Sequence, residues 1–269
     1  MIFNFFKPSP VLDEESIQWL FDLYAWALQN FDAQLFFEQS ILVIPSNQYF
    51  PGTASSPEEM AQIIFDKVRE YAGLKHWPCR LSTDQNCLTQ QPARLTVPGA
   101  LRTMNGEIAD NLATGETLAI LYDPRQVTNP EAIIASFSHT LAHHLGSMAQ
   151  SLPPGGEDNW PHVTEVLAVF MGFGLMFANS AFEYRNITCG SCQPVKIQRQ
   201  SFLSQYDITY ALAMFAVLKG IPYKEVNKNI KKSLRSYFKN AYKDVQKRSV
   251  ELERLRFFYS DKKAVEAGI

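Results

Sequence analysis

The sequence lacks an excess of charge of either sign. Its 269 residues include 25 Lys and Arg against 27 Asp and Glu, a formal net charge of -2 at pH 7. A nearly neutral chain argues against binding to nucleic acid through its overall electric field. The charge is unevenly placed, however, because the segment from Lys219 to Lys263 contains fourteen basic and five acidic residues. This segment predicts either the solvated face of a helix or a docking surface for an acidic partner.

The sequence also shows no segment typical of export or membrane insertion. The first ten residues, MIFNFFKPSP, have neither a charged start followed by a long apolar stretch nor a cleavage site. The longest apolar run, Val166 to Ala178, is shorter than the ~18 to 20 residues that cross a bilayer, so it predicts a buried helix. We therefore expect a cytoplasmic protein without membrane contact.

Cysteine is scarce, with four in the chain. Cys189 and Cys192 form a CxxC motif, which suits a redox dithiol or half of a zinc site. Cys79 and Cys87 are eight positions apart and do not form a second close pair. A four-cysteine metal site, a redox pair and ordinary thiols all remain open, whereas structural disulfides are not expected in the cytoplasm. The sequence also contains no Walker loop, no GxGxxG and no GxSxG, so the usual nucleotide-binding and serine-hydrolase motifs are absent.

The first half of the chain alternates helix signals with short strand signals. Asp13 predicts the N-cap of a helix, and Ser56 with Glu59 predicts a capping box at the start of another. The aliphatic run from Ser40 to Pro45 predicts a strand, and the run from Thr117 to Tyr122 predicts a second one more clearly.

The second half is predicted to be mainly helical. A helix opens at Asn129, and a second long helix begins near Trp160 after the turn from Pro153 to Gly156, so the two helices form a hairpin. Ser204 opens a further helix, and apolar residues spaced by three and four between Tyr223 and Val245 predict one long basic amphipathic helix.

No internal repeat and no low-complexity linker divides the chain. These elements together predict one α+β domain over residues 1–269. A portion of helices and strands, residues 1–125, precedes a helical portion, residues 126–269.

Four of the five histidines fall within one short segment, and they are His139, His143, His144 and His162. His139 and His143 are four positions apart on a predicted helix, so their side chains lie one above the other, as two imidazole ligands of one zinc ion require. A third ligand is expected from the next helix. Glu165, where a polar turn meets the apolar run, is our prediction, and His162 is the alternative. The alternative interpretation is that the histidines are ordinary core residues that bind no metal.

The residue after the first histidine is Thr140. In a zinc hydrolase with the motif HExxH, a glutamate at this position accepts a proton from the metal-bound water. A threonine hydroxyl is far too weakly basic for that role near neutral pH. We therefore expect Thr140 to be non-functional as a catalytic base, and Glu157 and Asp158 are the candidates for a replacement.

In order and spacing, residues 117–179 resemble the zincin metallopeptidases, and specifically the gluzincin plan, in which a strand precedes the HExxH helix and a glutamate on the next helix completes the metal site. The segments WLFDLYAWAL, FPG, HWPCRL and TEVLAVFMGFGLMFANS resemble a bacterial family of zincin-like proteins. The resemblance implies a zincin-like fold with a small mixed sheet, whose edge strand at Thr117 to Tyr122 runs beside a bound peptide. It also implies zinc held by His139, His143 and Glu165.

Two residues depart from the gluzincin pattern. They are Thr140 at the position of the base and Val169 where many gluzincins have an acid that orients the first histidine. The resemblance therefore implies a metallopeptidase homologue that is impaired as a peptidase, retains zinc and binds a peptide or protein partner. Two other functions stay open: an active zinc-dependent peptidase or amide hydrolase with another base, and an interaction protein without metal that docks through its basic C-terminal helix. The sequence implies no particular oligomeric state.

Overall fold

The described part of the chain folds mainly into helices and contains one small two-stranded sheet. The structure, a computed structural model, describes residues 11–84, 97, 99–104, 117–180 and 202–266. The helices in this part of the chain are α1 (Glu14–Asn30), α2 (Ala33–Glu38), α3 (Pro57–Ala72), α4 (Pro130–Ser147), α5 (Trp160–Ala168), α6 (Gly174–Ser180), α7 (Gln205–Leu218), α8 (Tyr223–Asn229), α9 (Arg235–Lys247) and α10 (Ser249–Glu266). A mixed class of helix and sheet is thus confirmed, with helix predominant.

The sheet consists of β1 (Cys79–Ser82) and β2 (Leu118–Leu121). The two strands run parallel, with Cys79 opposite Leu118 and Ser82 opposite Leu121. The strand predicted at Thr117 to Tyr122 is confirmed. The mixed sheet is not seen, because the sheet formed by the described residues is a parallel pair.

The helix starts follow local capping chemistry. The Asp13 carboxylate accepts a hydrogen bond from the Ser16 backbone N–H at 2.8 Å and so caps α1. At α3 the Ser56 hydroxyl accepts from the Glu59 N–H at 3.2 Å, while the Glu59 carboxylate reaches the N–H of Ser55 instead of that of Ser56. The N-cap bond of the predicted capping box is therefore confirmed at α3, whereas the reciprocal bond from the N-cap residue Ser56 is replaced by one from Ser55.

The strand predicted from Ser40 to Pro45 is wrong. None of these residues belongs to a strand, although Leu42 and Val43 are buried. The Val43 N–H donates a hydrogen bond to the Gly172 carbonyl oxygen at 3.0 Å. The residues between Ser40 and Pro45 are aliphatic because they pack into the helical core. Instead of the series of backbone hydrogen bonds in a sheet, this segment has the single bond from Val43 to the kink at Gly172.

The predicted hairpin of α4 and α5 is confirmed, but its second arm is not one regular helix. Helix α5 continues through a π-helical turn, Val169–Phe173, into α6. Gly172 in this turn has φ of 103°, and a Cβ atom there would collide with the Ile41 carbonyl oxygen. The kink is possible because glycine alone adopts this conformation readily. Residues Glu157–Asn179 are long and apolar enough to cross a membrane, yet 89% of the apolar window is buried inside the protein.

The single long basic helix predicted from Tyr223 to Val245 is wrong as one element. The structure divides it into α8, a 3-10 turn at Lys232–Leu234, and α9. Asn179 stabilises the break, since its side-chain amide donates to the Asn229 carbonyl at 2.9 Å and accepts from the Lys231 N–H at 2.9 Å. The apolar stripe itself is confirmed, because these residues are buried on both sides of the break: Val226, Ile230, Leu234, Phe238, Ala241 and Val245.

Helix α7 lies in the middle of the core. The helix start predicted at Ser204 is confirmed. Ser204 and Asp207 form a capping box there, and every residue from 208 to 218 is buried. Aromatic rings pack around this helix, and Phe36 stacks on Phe170 with ring centroids 4.5 Å apart. Because α7 has no exposed face after its first turn, other helices must enclose it. Helices α4 and α5, which carry the histidines, pack against each other on the outer part of this core.

Candidate functional site

Helix α4 carries the histidine pair. It begins at Pro130, and the Asn129 side chain accepts a hydrogen bond from the Ala132 N–H at 3.2 Å. Its core-facing residues are buried as predicted, and they are Ile133, Ile134, Phe137, Leu141 and Leu145. His139 and His143 lie beside this apolar face and are half-buried. The helix therefore holds the two imidazoles at the border between the core and the surface.

The two imidazoles are held in their neutral form. Burial first, and then the neighbouring His143, lower the pKa of His139 to about 4. Burial also lowers the pKa of His143. The ring of His139 stacks beside Phe177, with centroids 6.4 Å apart. Both side chains are therefore uncharged at neutral pH, which is the form in which histidine binds a metal.

His144 is the neighbour of this pair. Its ring meets that of His143 edge to face, with centroids 5.3 Å apart. Burial, followed by the proximity of His143, lowers the pKa of His144 to about 4. His144 is thus neutral like His139, but it directly follows His143 instead of lying one helical turn from it. It therefore serves as a control for the histidine pair.

Thr140 is turned towards the helix backbone. Its hydroxyl donates a hydrogen bond to the Ser136 carbonyl oxygen, with an oxygen-to-oxygen distance of 3.2 Å. Threonine in a helix commonly makes this bond to the residue four positions earlier. The hydroxyl therefore serves the local helix, in agreement with a position that has no catalytic base.

Glu165 lies on α5 and is only 7% exposed. Its two carboxylate oxygens accept hydrogen bonds from the backbone N–H groups of Phe202, at 3.3 Å, and Leu203, at 2.9 Å. Within the described part of the chain, no three His, Cys, Asp or Glu side chains are close enough together to hold a metal ion. His143 is close enough to His139 to lower its pKa, and the site of His139, His143 and Glu165 remains a prediction.

His162, the alternative third ligand, lies one turn before Glu165 and faces α1. Its ring centroid is 6.5 Å from that of Trp19 and 5.7 Å from that of Phe202. Its Nδ1 atom is buried and has no hydrogen-bond partner among the described residues. His162 therefore belongs to a different environment from the pair on α4.

The remaining predicted positions are placed as follows. Val169 is fully buried in the π-helical turn. Because it is a valine, this position has no carboxylate to orient His139. Glu157 and Asp158 are exposed in a short 3-10 turn before α5. Nothing in their geometry marks either carboxylate as a replacement base.

The cysteine interpretations are tested at one position. Cys79 lies on β1, and burial raises the pKa of its thiol to about 12, so it is a protonated thiol at neutral pH. Cys87, Cys189 and Cys192 lie outside the described residues. The choice between a metal site, a redox pair and ordinary thiols at the CxxC motif thus stays open.

Sequence reasoning missed Arg102, whose side chain is almost completely buried. Its guanidinium donates to the carbonyl oxygens of Ala72 and Phe31 and to the Ser40 hydroxyl, at 2.9, 3.4 and 3.4 Å. Burial lowers its pKa to about 10. Arg102 ties three separate segments together, and no local sequence pattern in its stretch indicates these partners.

Two cavities open on the described surface away from the histidine pair. One, of about 450 Å³, lies between the end of α1 and residues 99–102. The other, of about 330 Å³, lies between the starts of α1 and α5. Neither of these two cavities is lined by His139 or His143. We assign the chemistry to the histidines by their residue types and charge state, since cavity size alone does not define a site.

Comparison with known proteins gives no relative. No protein-family model, no curated protein and no solved structure matches this chain. The zincin-like interpretation therefore rests on the chain's own residues and on the order of β2, α4 and α5.

Proposed function

We propose that this protein is a zincin-like metallopeptidase homologue that has lost peptidase activity and binds zinc through His139 and His143. The observation that carries the proposal is the arrangement on one helical turn. Two neutral imidazoles are four positions apart, and the hydroxyl of Thr140 beside the first of them is bonded to Ser136. This arrangement keeps a metal-ligating pair and omits the base that hydrolysis needs.

The order of the elements supports the zincin-like part of the proposal. Strand β2 precedes α4, and α5 packs against α4 and carries Glu165. The residues suit zinc in part: the histidine pair supplies two ligands, and Glu165 is the acid on the adjacent helix that would complete the set. Zinc, when bound, supplies a Lewis acid, whereas the chain at position 140 supplies no group to accept a proton. The role we assign is therefore binding of a peptide or protein partner without cleavage.

Metal analysis tests the proposal directly. Purified protein should contain about one zinc ion per chain, or take one up during dialysis against zinc. His139→Ala and His143→Ala should each abolish this uptake. His144→Ala is the matched control, because His144 lies on the same helix with a similarly lowered pKa, and it should retain the metal. A wild-type protein that remains free of metal after dialysis would contradict the proposal.

A second candidate is an interaction protein that binds no metal. It is favoured by the bonds of Glu165 to Phe202 and Leu203, which give this buried carboxylate a structural role. Its docking surface would be the basic region around α8 and α9, where Lys231 and Lys232 are exposed. Arg235 instead donates to the carbonyl oxygens of Ile230 and Lys228, so its charge reversal would also disturb the fold.

Charge reversal at the two exposed lysines tests this candidate. The double variant Lys231→Glu and Lys232→Glu should weaken binding to a polyglutamate peptide, and added salt should weaken the wild-type complex. Lys75→Glu, on the loop after α3, is the control for a change of net charge alone. Binding that responds neither to salt nor to the double variant would argue against docking through this region.

We include a cytoplasmic location without membrane contact in the proposal. The burial of Glu157–Asn179 supports it, because a segment whose apolar window is 89% buried inside the protein has little surface to offer to lipid.

A further inference from the structure

A second site is formed where the starts of α1 and α5 face each other. A cleft of about 330 Å³ lies there, and its lining residues are Asp13, Glu15, Ser16, Trp19, Asn159, His162 and Leu203. Its volume is at the small end of the range for ligand pockets, which suits a single functional group or side chain. The cleft is separate from His139 and His143, neither of which lines it.

Aromatic rings form one wall of the cleft. The rings of Trp19 and His162, both in the lining, meet edge to face with centroids 6.5 Å apart. Phe202 does not line the cleft but supports His162, with ring centroids 5.7 Å apart. The Trp19 indole N–H donates to the Pro154 carbonyl oxygen at 3.0 Å, which fixes the orientation of the ring. Glu165 binds the backbone of Phe202 and Leu203 and so holds this part of the wall in place. The aromatic wall is therefore anchored by contacts from three segments of the chain.

The charges in the lining are all negative. Two hydrogen bonds from Ser16, through its backbone N–H and its hydroxyl, lower the pKa of Asp13, so its carboxylate is ionised at neutral pH. Glu15 is exposed and forms no ion pair with any described residue. The nearby Arg248 is bonded to Glu14 and Asp244, and it does not line the cleft. The lining thus presents two carboxylates and no lysine or arginine.

We propose that this cleft binds an organic cation, an ammonium or guanidinium group carried by a basic peptide side chain or by a free amine. A cation is attracted to the face of a tryptophan ring and to the unpaired Glu15 carboxylate, and an aromatic wall next to an acidic rim provides both at once. The inference is independent of metal binding at α4.

The test is a titration in EDTA, so that metal at the histidine pair has no influence. The probe is an acetylated and amidated alanine pentapeptide with arginine at its centre. Its control has citrulline at that position, which keeps the shape and removes the charge. Spermidine is the third probe, since it offers ammonium groups without a peptide. We expect weak binding of the arginine peptide, by calorimetry and by shifts of the Trp19 indole signal in nuclear magnetic resonance, and at least about tenfold weaker binding of the citrulline peptide.

Matched variants separate the ring from its hydrogen bond. Trp19→Leu removes both, whereas Trp19→Phe removes the bond to Pro154 and keeps a smaller aromatic face. We expect binding to fall about tenfold in Trp19→Leu and less than about threefold in Trp19→Phe. Glu15→Gln should weaken binding about threefold, whereas Glu58→Gln, an exposed glutamate in the first turn of α3, should have no effect.

Each outcome bears on the proposal. Binding of the arginine peptide identifies a basic side chain as the ligand, and binding of spermidine alone identifies a free amine; both support the site. The proposal is overturned if no probe binds at millimolar concentration, or if the citrulline and arginine peptides bind equally. It is also overturned if Glu15→Gln and a correctly folded Trp19→Leu both bind like the wild type. Should Trp19→Leu fail to fold, Glu15→Gln decides, because Glu15 is exposed and the substitution keeps the size of its side chain.

Discussion

The hydroxyl of Thr140 donates a hydrogen bond to the carbonyl oxygen of Ser136, one turn earlier on α4. The residue at the position of a zincin base is thus bonded to its own helix. Thr140→Val keeps the shape of the side chain and removes this bond, and we expect a change in unfolding free energy of less than about 1 kcal/mol, because the net contribution of such a bond is small. Denaturation with urea measures the change, and zinc content should be unaltered. A larger loss would show that Thr140 has a structural role beyond its helix.

Thr140→Glu introduces the acid that an HExxH motif has at this position. We expect this variant to bind zinc as the wild type does and to remain inactive towards peptides. Val169 supplies no acid to orient His139, and Glu165 is bonded to the loop at Phe202 and Leu203. Hydrolysis of a fluorogenic peptide library, with and without chelator, is the measurement. Chelator-sensitive turnover by the wild type would contradict the loss of activity, and turnover by the variant alone would show that Thr140 is the only defect.

The pKa values of the half-buried histidines predict how stability depends on pH. The pKa values of His139 and His144 are about 4 in the folded protein, below their ordinary value of 6.5. Between these values the unfolded chain binds protons that the folded protein does not. Stability is therefore complete above about pH 6.5 and is lost as the pH falls towards 4, by roughly 2 to 3 kcal/mol for each group.

Urea denaturation in EDTA from neutral pH to about pH 5 tests this dependence, in a range where carboxylates contribute little. The variants His139→Leu and His144→Leu should each reduce the slope of stability against pH. If the double variant had the same slope as the wild type, other groups would account for the acid sensitivity.

The fold could be predicted from the sequence where local chemistry decides it. Asp13 and Ser204 cap helices as expected, since a capping side chain and its backbone partner are only a few positions apart. The aliphatic residues near Val43 wrongly predicted a strand, because an apolar run has the same composition in a strand and in a buried connection. The partner that decides the matter is Gly172, far away in the sequence.

The same distinction applies to the site. The spacing of His139 and His143 predicts a pair on one helix face, and the structure places them so. The bonds of Glu165 to Phe202 and Leu203 join residues more than thirty positions apart, so no local pattern indicates them. The cleft at Trp19 was missed for a related reason. Trp19 lies outside the buried stripe of α1, and its aromatic partner His162 comes from another helix.

Gly172 provides a test of the kink between α5 and α6. Gly172→Ala forces a Cβ atom against the Ile41 carbonyl oxygen at a φ of 103°, so we expect a loss of about 3 kcal/mol or more. Gly220→Ala is the matched control, since Gly220 also has a positive φ, of 65°, but a Cβ atom added there would meet no other atom within 4 Å. That variant should lose only about 1 kcal/mol. Equal losses in the two variants would show that the contact with Ile41 does not hold the kink.

Glu165 distinguishes the two candidate functions. Glu165→Gln keeps the size of the side chain but replaces one accepting oxygen with an amide NH₂ that cannot accept from Phe202 or Leu203. In EDTA we expect a loss of about 1 to 3 kcal/mol in unfolding free energy, because a buried N–H group is left without its acceptor. Glu157→Gln, an exposed position before α5, is the control and should change stability by less than about 0.5 kcal/mol.

The zinc affinity of Glu165→Gln is the second measurement that distinguishes the two candidate functions. If Glu165 completes the site of His139 and His143, its replacement should lower zinc affinity by about tenfold or more, since a charged ligand is exchanged for a neutral amide. Competition with a chromogenic chelator measures this change, and His144→Ala again serves as the variant that should bind normally. Lower stability with unchanged zinc affinity would assign Glu165 to the loop alone. The metal would then have two protein ligands from α4, a set too small for a zinc enzyme of the gluzincin plan but sufficient for weak binding.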